Sequence, residues 1–393
     1  MARQYSPKTF IRKVPNELFR QYFNGKPIEL LVDWDEIGDT DANPIFDAIQ
    51  SLDDHVRASV ESDFTEINEL AHVKGVLAIL EEAHIRKVDW VEEFDALDNH
   101  YARAFWTFLK QPEYFEAAGA FHQMDRFGGW WRRFVGKRLK LKTDRKTMKA
   151  FREELQAIYR PQGRGRFCKV DRYQRQKPVR DCFFAYPEDM ATSDIGYSDD
   201  GSFNRRPRRS ALEVIFVYRP EQGVVELHAV GGKKLEEALA RAFCVTILGL
   251  RGLPDEGDTT PYDLSPLKNT KFRFPTKPRD GVEAVELKSL RLDLPTDLKK
   301  GASRRIILSA SSLRTASNAV YALLNDALDL KRVRLDDMLL AHAKMTFVFR
   351  PREGKRAKRL TFEVTYPDRC TLKDDPYDQI ARKYLKVWGI ARD

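Results

Sequence analysis

The chain has 393 residues, of which 42% are hydrophobic and 32% charged, with a net charge of +9. This balance excludes a largely disordered chain, supports packed cores, and at this length suggests two or three domains. No apolar run reaches the roughly 18 residues that span a membrane, and the N-terminus MARQYSPKTFIRKVPNELF lacks the apolar centre of a secretory signal.

Charge is divided unevenly along the chain. Residues 28–100 hold twenty Asp/Glu against four Lys/Arg, a net of −16, whereas residues 126–180 hold nineteen Lys/Arg against four acids, a net of +15. Such asymmetry fits either an anionic partner for the basic part or pairing between the two parts. The expected order is an N-terminal extension (1–27), a helical domain (28–160) that is acidic over 28–100 and basic over 126–160, and an α+β domain (161–393).

In chain order, apolar residues first recur at helical spacing. Ile45, Ile49, Leu52, Val56 and Val60 form one stripe, and Ile67, Leu70, Val73, Leu77 and Leu80 a second. Phe94, Leu97, Tyr101, Phe105 and Leu109 form a third, and Phe115, Ala118, Phe121 and Met124 a fourth that ends at Gly128-Gly129. The acids between these stripes read as a solvated face, with a DNA-mimicking or partner-binding face as the functional alternative. WWRRFVGKRLKLKTDRKTMK (130–149) follows, and its KRLKLK alternates if it is a strand. Thr143 or Asp144 caps a helix bearing Met148, Phe151, Leu155 and Ile158, which stops before PQGRGR.

After residue 161 the pattern changes period, and three hairpin–helix modules are expected (181–250, 282–329, 335–391). DCFFAYPEDM and ALEVIFVY read as strands from their β-branched and aromatic content, and YSDDGSFNRRPRRS between them as a polar loop. FVYRPEQG (216–223) and FVFRPREG (347–354) share five of eight residues, and in both, proline and glycine suit a hairpin turn. Duplication and coincidence both remain open at this level. A helix follows from Lys233, and a last one starts at Pro376 with Asp374 and Asp375 before it. The fold class is α+β, a helical acidic domain followed by a mixed domain.

Function is less legible. Arg and Lys neutralise phosphates and aromatics stack on bases. The leading expectation is therefore a non-enzymatic nucleic-acid-binding protein of the cytoplasm, a subunit of a larger assembly that grips phosphates without reading sequence. Its candidate contacts are Trp130, Trp131, Arg132, Arg133, Lys137, Arg138, Lys140, Lys142, Arg145, Lys146, Arg164 and Arg166. Two basic loops add Arg205, Arg206, Arg208 and Arg209, and Lys355 and Arg356. A protein partner is expected at the acidic helices 28–100, and no cofactor is required.

Two alternatives remain. In the first, Asp255, Glu286 and Lys288 act as a Mg²⁺-dependent nuclease, because a carboxylate followed by an acid-x-Lys pair on one strand face can hold the ion and activate water. In the second, the chain is a protein-interaction adaptor with no nucleic-acid role. There is no P-loop signature, and the four cysteines (Cys168, Cys182, Cys244, Cys370) have neither C-x-x-C nor zinc-type spacing, which fits free thiols in a reducing compartment.

Overall fold

The computed structural model describes residues 4–38, 41–124, 126–176, 178–198, 201–255, 260–293, 305–310, 319–328, 335–351 and 357–392. They form an α+β structure that groups into two compact units: residues 1–126 with 191–208, and residues 127–190 with 209–393.

The first unit carries eight helices among the described residues: α1 (Pro7–Ile11), α2 (Asn16–Asn24), α3 (Asn43–Gln50), α4 (Asp54–Leu70), α5 (Val73–Ile85), α6 (Val91–Asp95), α7 (His100–Lys110) and α8 (Pro112–Met124). The first 27 residues are not an extension. Phe10 and Phe19 are fully buried, and Phe10 meets Phe64 at 5.2 Å and Phe105 at 6.0 Å between ring centroids. The second apolar stripe is out of phase with the fold. His72 ends α4 and restarts the chain by accepting hydrogen bonds from the backbone N–H of Lys74 and Gly75. The new helix therefore buries Val76, Ile79 and Ala83 and leaves Val73 and Leu77 each 58% exposed.

The second unit carries β1 (Trp130–Phe134), α9 (Arg145–Tyr159), β2 (Cys168–Gln176), most of β3 (Val179–Tyr197), the end of β4 (Phe203–Ala211), β5 (Val214–Arg219), β6 (Val224–His228) and α10 (Lys233–Thr246). After these come β7 (Val282–Asp293), β8 (Arg305–Ser309), α11 (Ala319–Ala327), β9 (Leu339–Phe349), β10 (Arg359–Thr365), β11 (Arg369–Cys370) and α12 (Pro376–Val387). The strands make one sheet in the order β2-β3-β5-β6-β1-β11-β10-β9-β7-β8, with β4 on β3. The three expected modules are thus a single sheet. The boundary lies at 126/127 rather than near 160, because β1 sits mid-sheet between β6 and β11 and α9 packs Phe151 against Phe183 of β3 and Phe216 of β5, with Leu155 and Tyr159 buried in the same core.

Cross-strand partners share a face. Phe216 faces Leu227, Leu227 faces Trp131, Trp131 faces Arg369, Arg369 faces Thr365, and Thr365 faces His342. Phe347, five residues beyond His342, therefore points to the other side. Phe216 stacks on Phe243 of α10 at 5.1 Å, whereas Phe347 meets Trp388, just after α12, at 5.6 Å. So α10 and α12 cover opposite faces of the sheet, while both hairpins return toward its centre. Seen from its own helix, β6 lies on one hand of β5 and β10 on the other hand of β9. No rotation superposes the two hairpins together with their helices, and the octapeptide match is not a duplicated hairpin–helix unit.

Candidate nucleic-acid interface

The RPEQG turn between β5 and β6 seats the basic segment. Gly223 closes it at φ +69°, and its carbonyl accepts from the N–H of Val135 at 2.8 Å and of Gly136 at 3.2 Å. The Pro220 carbonyl accepts from the N–H of Arg138 at 2.9 Å, and the Tyr218 hydroxyl takes the N–H of Leu139 and donates to the Gly136 carbonyl, both at 2.8 Å. Residues 137–143 are consequently irregular rather than the alternating strand that KRLKLK suggests, and Arg138 itself sits at φ +52°.

Gly223→Ala is expected to cost about 1–3 kcal/mol through its backbone conformation alone. A Cβ there would also lie 2.8 Å from Gly136 C and Lys137 N. Chemical denaturation checks this; a wild-type midpoint would remove the turn from the account.

From this seat Lys137, Arg138, Lys140, Lys142, Arg145, Lys146 and Lys149 project as exposed side chains. The single acid among them, Asp144, caps α9 by accepting from the N–H of Lys146 and Thr147; the Thr147 hydroxyl, and then these N–H groups, hold its carboxyl below the usual range. Arg138 pairs with the exposed Glu221 at 2.9 Å and Lys149 with Glu153 at 3.8 Å. Among the described residues, no ion pair within 4 Å engages Lys137, Lys140, Lys142, Arg145 or Lys146.

The other candidates separate from this strip. Trp130, Trp131, Arg132 and Arg133 lie in β1 and are buried to 8% exposure or less, which corrects their assignment to an exposed nucleic-acid strip. Arg132 donates to the Tyr262 hydroxyl at 2.6 Å and the Gln222 side chain at 3.0 Å; Arg133 donates to the Pro254 carbonyl at 2.9 Å and lies over Trp131. A mid-sheet strand covered on both faces buries every side chain, whatever its polarity. Arg164 is engaged by Asp189 at 2.9 Å, and exposed Arg166 lies over Phe167, which is 63% exposed. NRRPRR is a paired strand, not a loop. On β4, Arg205, Arg206, Arg208 and Arg209 are exposed, with Arg208 near Asp194 and Arg209 near Glu188, each at 3.2 Å. Lys355 and Arg356 lie outside the described residues.

Glu286 and Lys288 do share a strand face, at 2.7 Å, but Arg359 holds the same carboxylate oxygen at 2.7 Å. Asp255 is exposed, and among the described residues no group of three His, Cys, Asp or Glu side chains could hold a metal ion. The nuclease arrangement is therefore not assembled around Glu286.

Sequence reasoning missed a buried ionic cluster. Glu226 on β6 receives Arg219 at 2.7 Å, Arg132 at 3.0 Å and Arg382 at 3.9 Å, and Arg219 also reaches Asp374 at 2.6 Å, beside Arg180. Burial alone would raise the carboxyls of Glu226 and Asp374, but the guanidiniums outweigh it and hold both below the usual range. Arg219 and Glu226 pair across the hairpin, but Arg382 comes from α12, so no local signal marks the cluster.

No family model matches this chain, and neither does any curated protein or solved structure.

Proposed function

We propose that the chain binds nucleic acid through the sugar–phosphate backbone, at the strip from Lys137 to Lys149. The observation that carries this reading is the concentration of seven exposed cations, five of them in no ion pair among the described residues, in a segment whose one acid is itself committed to a helix cap. Exposed, unpaired Lys and Arg are free to release counterions from a polyanion, whereas the buried arginines of β1 already have partners. With the two tryptophans in the core, the strip has charge without a stacking platform, which suits phosphate contact and not base readout. The role is one of binding rather than catalysis, within a cytoplasmic assembly. The exposed acids Asp89, Glu92, Glu93, Asp95 and Asp98 of the helical unit support a protein contact there.

Fluorescence anisotropy with labelled single- and double-stranded oligonucleotides of unrelated sequence tests this. At low salt the expected result is binding of similar strength to different sequences. No binding of either form would refute it.

No helix among the described residues is long and apolar enough to cross a membrane.

A further inference from the structure

A cleft of about 390 Å³ opens beside α12 in the second unit. It is within the size of small-molecule sites, roughly 300–1,000 Å³. Five cations line it (Arg132, Arg382, Lys383, Lys386 and Arg392), and none of the described residues lining it is acidic. Lys383 is engaged by Asp280 at 2.7 Å and Arg392 by Asp263. Glu226 lies behind the wall, and three guanidiniums share it.

The wall is built rather than incidental. Arg132 is 8% exposed and is oriented by Glu226, Tyr262 and Gln222. Arg382 is fixed from α12 by donating to the Leu372 carbonyl at 2.7 Å and the Lys373 carbonyl at 3.2 Å. Their charges and the donors Tyr262, Gln222 and Gln379 thus line one concavity. Phe134, Val224, Leu385, Val387 and Ala391 supply the rest of its surface, so an occupant gains by having an apolar body as well as an anion.

We propose that this cleft binds a phosphate monoester carried on a ring-bearing group, with Arg132, Arg382 and Lys386 facing the phosphate. Such a dianion has three acceptor oxygens in different directions, which suits donors that approach from a strand, a turn and a helix. The cleft uses none of the cations of the 137–149 strip, so the inference stands independently of the polynucleotide reading.

Calorimetric titration of the full chain with a nucleoside 5′-monophosphate, with the matching nucleoside and with inorganic phosphate is the direct test. The monophosphate is expected to bind more tightly than either fragment. Lys386→Glu is expected to weaken it by tenfold or more, roughly the loss of one charge-assisted contact. Val387→Trp, at a lining position that is 64% exposed, is expected to weaken it by filling the cleft without disturbing the core. Oligonucleotides with and without a 5′-phosphate separate the sources: a Lys386-dependent preference for the phosphorylated end assigns a strand terminus, and its absence assigns a free mononucleotide. If no phosphate probe binds, or if binding is unchanged in both folded variants, the proposal is wrong.

Discussion

Glu226→Ala is expected to lower the stability of the sheet-bearing unit by about 3–5 kcal/mol, the cost of leaving buried charge without its partner. Three guanidiniums share this carboxylate, and Arg219, at 4% exposure, cannot turn to water once it is gone. Glu226→Gln keeps an acceptor for the arginines but removes the charge, so it is expected to fall between alanine and wild type. Denaturant unfolding followed by circular dichroism measures both. A loss below about 1 kcal/mol, the range of exposed pairs, would contradict the role given to the cluster.

The same cluster sets a pH dependence. The folded pKa values of Glu226 and Asp374 lie below their unfolded values, so their contribution is complete above about pH 4.3, the ordinary glutamate value, and is lost as pH falls through the depressed folded values. Asp378 works the other way. Burial, then Asp375 beside it, pushes its carboxyl up to about 6, so it favours the folded state increasingly as pH drops from 6 toward its unfolded value of about 3.9. The expected acid limb is therefore shallow near pH 5 and steep below 4. In Glu226→Gln the steep part should diminish.

The second large effect concerns binding. Reversing Lys137, Lys140, Lys142 and Lys146 to glutamate is expected to abolish detectable oligonucleotide binding at moderate salt. Each phosphate contact contributes about 0.9 to the slope of log affinity against log salt for duplex DNA, so removing four cations and adding four anions should erase most of that slope. These positions are exposed and have no ion pair within 4 Å among the described residues, so the melting temperature should hold. Reversal of Arg132 or Arg133 would not serve, because both are buried and would report unfolding. Undiminished binding by the folded quadruple variant would move the interface elsewhere.

Much of the fold was readable because its local signals agree with its tertiary context. VIFVYR is a central strand buried at every position, and Asp375 and Pro376 open α12 with the side chain of Asp375 accepting from the N–H of Tyr377 and Asp378. Local reasoning failed where a distant partner decides. WWRR has the composition of a nucleic-acid patch, but its place between β6 and β11 turns the same residues inward. NRRPRR lacks apolar periodicity and still forms a strand, because β3 supplies its pairing. KRLKLK alternates, yet the β5–β6 turn pins its backbone into a loop. The cleft brings Arg132 and Arg382 together from 250 residues apart in sequence, and neither end carries a motif that names the other.

The most direct test of the central claim is the salt dependence of wild-type affinity for a short duplex and a single strand of arbitrary sequence. The expected result is linear log–log plots whose slopes correspond to several phosphate contacts and change little with sequence. Affinity that is insensitive to salt, or absent even at low ionic strength, would contradict it.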